Sequence, residues 1–388
     1  MKNVTDACLI GMVAGEASGD ILGSHLMRAL SARRPDLRFA GIGGPRMIEA
    51  GFESWIPQEK LAVRGIVEVV RHLRSISAIH REVVQRMLER RPILFVGIDS
   101  PDTNLRIARK LTRAGITTVH YVSPTIWAWR PGRIRTIEKV VKHMLVLFPF
   151  EAQLYERSAV RVSYVGHPLA DEIPLEMSSA SAREQLRLRA AAQVIAILPG
   201  SRLSEVELMS EPFLATAALV HAARPDVQFL APFVSRETRD AFERAVYKLG
   251  AHDLPIQRMF GHSLDAIAAA DVVLAASGTA TLEAALVRRP MVIAYKLKPL
   301  SFRIVRRLVK LPHVGLPNIL AGEAIVPEFL QDDATPENLA QALQNLLDDK
   351  VVRAAIEARF RTIHTSLRHD TAERAAEALL PYLDRAAA

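Results

Sequence analysis

The stretch Gly166-His167-Pro168-Leu169-Ala170-Asp171-Glu172-Ile173-Pro174-Leu175-Glu176-Met177-Ser178-Ser179 decides how this chain is organised. It holds two prolines and no clear apolar period, so it reads as an interdomain linker. Before it, apolar runs at 8–14, 37–42, 93–98, 117–122, 143–148 and 162–165 alternate with amphipathic stretches at 21–33, 66–90, 103–114, 133–141 and 151–157. Strands alternating with helices in this way predict βα units and a parallel sheet. After it the pattern restarts, with strands at 194–198, 228–231, 255–257, 272–275 and 291–295. The matching helices are expected at 183–189, 206–223, 237–249, 263–270, 280–287 and 300–309. The last third turns helical, at 336–347, 351–364 and 371–386.

Two restarted runs predict an α/β chain of two Rossmann-like lobes facing each other across a cleft. The expected boundaries are 1–170 and 171–350, followed by a helical C-terminal segment at 351–388 that either packs back on the N-terminal lobe or exchanges in a dimer. The 388 residues are 49% hydrophobic and 24% charged, enough to bury two large cores without a staple. Cys8 is the only cysteine, which excludes an intrachain disulfide, a Cys-rich zinc site, an iron–sulfur cluster and a CxxC redox motif. Fifty basic against 42 acidic residues leave a net charge of +8, which suits phosphates or an anionic membrane face. Only 6% of residues are aromatic and none interleave with basic runs, so nucleic acid is not an expected partner. The first apolar run is broken by Asp6 and reads as a core strand rather than a signal peptide. The longest spanning candidate, 264–287, carries Asp265, Asp271 and Glu283, so a cytoplasmic protein is expected.

Ligands in such sheets sit beyond the carboxyl ends of strands, so the turns there hold the candidates. In Gly15-Glu16-Ala17-Ser18-Gly19-Asp20, small residues admit a ligand close to the backbone, and Ser18 or Asp20 suits a helix cap. It is not GxGxxG, and its two acids favour a sugar over a phosphate. Gly41-Ile42-Gly43-Gly44-Pro45 reads as a tight turn or a ligand loop, with Pro45 at a first helical position. In Gly97-Ile98-Asp99-Ser100-Pro101-Asp102, Asp99 is either a general base or a helix N-cap, and Asp102 is a structural first-turn acid. Trp127 and Trp129, after the strand ending near Val122, cover a sugar or an acyl chain, or pack in the core.

In the second half, Leu198-Pro199-Gly200-Ser201-Arg202 offers a guanidinium for bidentate phosphate binding. Ala276-Ser277-Gly278-Thr279-Ala280-Thr281-Leu282-Glu283 is the sharpest local signal. Ser277, Gly278, Thr279 and Thr281 open a helix with hydroxyls and free N–H groups, an anion site. Glu283, one turn in, can take two adjacent ribose hydroxyls. The spacing fails as a capping box, since Thr279 faces Leu282 and Ala280 faces Glu283 three residues on. HExxH and GxSxG are absent, so neither a catalytic metal nor a hydrolase nucleophile is expected. His167 reads as a packing residue. The basic amphipathic run 296–310 and the apolar run 61–70 are either lipid contacts or ordinary helix and core.

The segments GEASGD (15–20), GIGGPRM (41–47), GIDSPD (97–102), SPTIWAW (123–129), FPFE (148–151), YVGHPL (164–169), LPGSR (198–202), SGTATLE (277–283) and GLPNILAG (315–322) together resemble one family, the lipid-A-disaccharide synthases. These are glycosyltransferases of the GT-B fold, and the motifs run in family order over nearly the whole chain. The resemblance implies an inverting transferase of lipopolysaccharide (lipid A) biosynthesis. It would move 2,3-diacylglucosamine from its UDP donor to the 6-hydroxyl of 2,3-diacylglucosamine 1-phosphate, giving the β-1,6-linked disaccharide 1-phosphate and UDP. By the same resemblance Asp99 is the base and Arg202, with the Ser277–Thr281 turn, stabilises the departing diphosphate. Glu283 holds the ribose, Asn318 contacts the donor, and Glu16 and Ser18 line the acceptor side. It further implies no metal and no cofactor, peripheral attachment to the cytoplasmic face of the inner membrane, and a homodimer whose C-terminal segments exchange. Two other readings remain open on residues alone. One is a UDP-N-acetylglucosamine 2-epimerase, which shares the donor-lobe logic. The other is a non-catalytic nucleotide-sugar-binding membrane protein in which Asp99 is a helix cap.

Overall fold

The computed structural model describes residues 8–61, 66–129, 131–189, 191–298, 302–303 and 312–384. The lipid-contact candidate 296–310 and the helix expected at 300–309 therefore lie largely outside the described residues, as do 62–65 of the candidate 61–70, whose last residues open the helix Ile66–Arg90. Seven strands form the first sheet: β1 (Leu9–Ala14), β2 (Arg38–Ile42), β3 (Glu53–Ser54), β4 (Leu94–Ile98), β5 (Thr118–Tyr121), β6 (His143–Val146) and β7 (Arg161–Tyr164). Their order is β3-β2-β1-β4-β5-β6-β7, every pair parallel, with Ile10 opposite Leu94 and Gly11 opposite Ala40. β1 reads LIGMVA with all six residues buried, as a strand covered on both faces must. The pleat sorts the side chains by parity. Ile10, Met12, Ala14, Leu94, Val96 and Ile98 share one cluster with Leu26 and Leu30 of the helix Ala17–Arg33. Val13 and Phe95 face the other way, onto Val83, Met87, Leu105 and Leu111.

The second sheet holds β8 (Val194–Leu198), β9 (Gln228–Phe233), β10 (Ile256–Phe260), β11 (Val272–Ala276), β12 (Met291–Tyr295) and β13 (Glu328–Leu330), in the order β10-β9-β8-β11-β12-β13 and again parallel. The sequence reading contains neither β3 nor β13. Both are edge strands of two or three residues with no fully buried position, so no apolar run announces them.

Contacts divide the chain into two compact units, Met1–Asp171 with Leu367–Ala388, and Glu172–Ser366. The division differs from the boundary expected at 350. The helix Lys350–Leu367 belongs almost wholly to the second unit, where buried His364 meets the Leu286 carbonyl at 2.9 Å. The helix Thr371–Asp384 belongs to the first, burying Ala375, Ala376 and Leu379 in the cluster of β1 and β4. Asp171 fixes this return, its carboxylate accepting from the backbone N–H groups of His369, Asp370 and Thr371 at 2.9, 3.1 and 2.7 Å.

Candidate active site

In the first sheet the strand order reverses direction between β1 and β4, so a crevice opens at their carboxyl ends. The turns leaving those two strands hold Glu16, Ser18 and Asp99. The Ser18 hydroxyl donates to Asp99 Oδ2 at 3.3 Å, which joins two of the sequence-predicted residues across 81 positions of chain. Asp99 and the following Ser100 both adopt left-handed backbone, φ +51° and +40°. Two successive non-glycine residues there store about 1–3 kcal/mol each, a strain typical of functional turns. Ser100, not Asp99, occupies the N-cap of the helix Pro101–Arg113, so Asp99 is not that helix's cap. Glu16 is exposed at the N-cap of the helix Ala17–Arg33 and makes no side-chain cap bond there.

Neither Ser18 nor Asp20 caps its own helix either. Asp20 is buried and reaches the neighbouring turn, where its carboxylate accepts from the N–H groups of Gly44, Arg46 and Met47 at 2.8, 3.0 and 3.0 Å. The second glycine cluster is thus a turn built around that carboxylate. Gln58, also buried, donates Nε2 to the carbonyls of Ala14 and Glu16 at 3.0 and 2.7 Å and fixes the turn after β1. Sequence reasoning missed Gln58, which lies in an irregular segment with no motif around it.

At the carboxyl ends of β5, β6 and β7 three further motifs converge. Trp127 meets Phe150 edge-on at 5.4 Å, Phe150 stacks on Phe148 at 5.7 Å, and Phe148 stacks on His167 at 5.3 Å. Beneath them Glu151 is buried and accepts from the N–H groups of Leu147 and Phe148 at 3.2 and 3.1 Å. Burial lifts its carboxyl to about 7, against the pull of those bonds. Trp127 and His167 are thereby packing residues of one aromatic cluster. Asp102, exposed, pairs with Arg133 at 2.6 Å.

The second sheet reverses between β8 and β11, and the two motifs that follow those strands meet at one cavity of about 170 Å³. Gly200, Ser201 and Glu205 line it from one turn, and Ser277, Gly278, Thr279 and Glu283 from the other. Val234 and Ser263 close its far side. Gly278 sits at the N-cap of the helix Thr279–Leu286, which turns the first N–H groups of that helix toward the cavity, a site for an anion. The Ser277 hydroxyl donates to the Val314 carbonyl at 3.0 Å and so presents oxygen lone pairs, not a proton, to a ligand. Burial raises the Glu283 carboxyl, while the Ser263 hydroxyl, 3.3 Å away, favours its charged form.

Three predicted residues sit differently from the expectation. Thr281 is fully buried and returns its hydroxyl to the Gly278 carbonyl at 2.8 Å, so it shapes the turn from behind. Asn318 is fully buried as well. Its Nδ2 reaches the Val326 carbonyl and Glu328 at 2.8 and 2.7 Å, and its Oδ1 accepts from Ile325 and Val326 at 2.9 and 3.0 Å. The amide is engaged on both ends and braces the loop whose Val314 carbonyl takes Ser277. Arg202 is exposed, and its guanidinium meets Glu205 at 3.3 Å. Glu205 also accepts from the N–H groups of Ser201 and Arg202 at 3.3 and 3.2 Å. Only the glutamate half of a capping box forms, since a guanidinium has no acceptor, and that Glu three residues past the cap is a signal the sequence reading left unused.

Comparison with known proteins agrees with this geometry. A family model described as lipid-A-disaccharide synthetase matches residues 10–380. The lipid-A-disaccharide synthase of Methylobacillus flagellatus is 54% identical over 374 residues, spanning 96% of this chain and 99% of that relative. Among solved structures, the UDP-GlcNAc 2-epimerase from Neisseria meningitidis bound to UDP-GlcNAc superposes with a TM-score of 0.64 at 10% identity, covering 96% of this chain and 100% of that one. Acinetobacter baumannii MurG superposes with a TM-score of 0.59 at 14% identity, covering 96% and 99%. At such identities the structures speak for the GT-B fold alone. The family match and the relative speak for more: this chain belongs to the lipid-A-disaccharide synthetase family.

Proposed function

We propose that the protein is an inverting glycosyltransferase of lipid A biosynthesis. It transfers 2,3-diacylglucosamine from UDP to the 6-hydroxyl of 2,3-diacylglucosamine 1-phosphate, with UDP leaving. The observation that carries the reading is the placement of Asp99 at the switch point of one nucleotide-type sheet and of the Ser277–Thr279 turn at that of the other. In the reaction Asp99 takes the proton of the acceptor hydroxyl, whose oxygen attacks the anomeric carbon. The carbon–oxygen bond to the diphosphate breaks, and its electron pair leaves on UDP. The helix start at Thr279 and the Arg202 guanidinium offset that developing charge, and the Glu283 carboxylate takes the ribose hydroxyls. Ser18 donates to Asp99 and holds its orientation. A single displacement with one base accounts for inversion, with no covalent enzyme intermediate.

Peripheral attachment to the cytoplasmic face of the inner membrane is part of the proposal. Both substrates are acylated, and no helix among the described residues is long and apolar enough to cross a membrane. Exposed Arg109, Arg113, Lys139 and Lys142 line two adjoining cavities of the first unit with one acid, Glu138, among them, a net positive charge that suits anionic headgroups. A homodimer is proposed from the resemblance. In the single chain the helix Thr371–Asp384 packs on its own first unit.

The test is an assay with UDP-2,3-diacylglucosamine and 2,3-diacylglucosamine 1-phosphate. The expected products are the disaccharide 1-phosphate and UDP, at a rate unchanged by excess EDTA. UDP-N-acetylglucosamine alone should return unaltered; its epimerisation without acceptor would overturn the reading.

A further inference from the structure

On the helix Pro101–Arg113 one polar residue lies on the apolar face. Asn104 has no exposed surface and stands among buried Leu105, Ile107, Ala108 and Leu111. Its Nδ2 donates to the carbonyls of Val13, Ile98 and Asp99, at 3.2, 3.1 and 2.8 Å. The first belongs to β1 and the other two to the end of β4 and its turn, so one amide ties both strands of the switch point. Its Oδ1, buried, has no partner. An unsatisfied buried acceptor is costly, and an apolar residue of the same shape would avoid it. What the amide gains in return is the tie.

We infer that Asn104 is a positioning residue for the Asp99 carboxylate. The inference rests on Asp99 being the base. The Asp99 peptide is held at both ends: its N–H donates to the Tyr121 carbonyl at 2.9 Å, and its carbonyl takes Asn104 at 2.8 Å. With both ends fixed, the left-handed φ of +51° persists and the carboxylate stays within reach of the Ser18 hydroxyl, at 3.3 Å. Gly97 makes the arrangement possible, because a Cβ there would lie 2.8 Å from the Asn104 Cβ. A carboxylate displaced by even about 1 Å loses up to roughly 100-fold in rate.

The experiment grades the number of protons the side chain can donate. Asn104→Leu keeps the γ-branched shape, adds the bulk of two methyls and donates none. In Asn104→Asp burial holds the carboxyl neutral at moderate pH, where it donates one O–H. The expected kcat falls about tenfold or more for Asn104→Leu and severalfold for Asn104→Asp. KM for the UDP donor and calorimetric UDP affinity should stay within about twofold in both. For Asn104→Asp the ratio of kcat to wild type should decline further as pH rises from 6 to 9 and the carboxyl ionises. Asp99→Asn runs in parallel and should lose at least about 100-fold. Retained turnover in Asp99→Asn would sink the base assignment. Loss there with wild-type kcat in either Asn104 variant overturns the positioning role alone. If Asn104→Leu does not fold, the rate and pH profile of Asn104→Asp decide by themselves.

Discussion

At the scale of single residues, the turn after β8 sets two opposite charges beside one cavity. Glu205 lines the cavity proposed for the diphosphate, and it also holds Arg202 at 3.3 Å. The pair is largely exposed on the arginine side and is worth about 0–1 kcal/mol, so a phosphate can compete for the guanidinium. A charge-assisted bond to phosphate is worth about 1.5–3 kcal/mol, which predicts that Arg202→Ala weakens UDP binding about tenfold or more. Glu205→Gln keeps an oxygen for the N–H groups of Ser201 and Arg202 while removing a negative charge, so its UDP affinity should be unchanged or tighter. Isothermal titration calorimetry of both variants checks the pair. Equal affinity in Arg202→Ala would remove that residue from the diphosphate.

Among the elements, the helix Pro45–Glu49 is the one most dependent on a distant side chain. It has five residues and no cap of its own, too few to stand alone. Asp20 supplies what is missing, with three backbone N–H groups on one buried carboxylate. Gly44 leaves the space for it, since a Cβ there would lie 2.6 Å from Asp20 Oδ2. Losing a cap costs about 0.5–2 kcal/mol, and burial pushes this case to the upper end. At roughly 2–4 °C per kcal/mol, Asp20→Ala should lower the melting temperature by about 5 °C. Asp20→Asn, which keeps one acceptor oxygen, should lose less. Calorimetric melts of the two variants give the comparison, and an unshifted Asp20→Ala melt would contradict the bracing role.

For the molecule as a whole, buried titrating groups set how the units respond to acid. His120, His143 and His167 lie in the first unit, each held down at about 4 by burial. Their folded values lie below the unfolded 6.5, so the stability tied to their neutral forms is complete above 6.5 and is lost as pH falls through 4. Glu151 works the other way. Its value near 7 lies above the unfolded 4.5, so its contribution is complete below 4.5 and is lost as pH rises through 7. At about 1.4 kcal/mol per unit, it offsets roughly one of the three histidines. In the second unit, raised Glu283 also gains from acid. Lowering pH from 7 to 4.5 should therefore open the first unit before the second. Hydrogen exchange across β5–β7 and β8–β12 measures this, and equal loss of protection in both would refute it.

Much of the fold was legible along the chain because parallel strands covered on both faces must be apolar throughout. β1, β4, β8 and β11 stand out for that reason, and the turns after them carry the motifs that name the family. The sequence by itself therefore determined the α/β class, the restart after residue 179, and the residue types near the two switch points. What it could not determine was which polar groups serve each other. Asp20 was expected on its own helix and caps another. Asn318 and Thr281 are spent on their own loops, and Gln58, Asn104 and Glu205 went unnoticed. The reason is that a side chain's hydrogen-bond partners are chosen by proximity in space. Contacts such as Asn104 to Val13, 91 residues apart, exist only once the sheet has brought the two strand ends together.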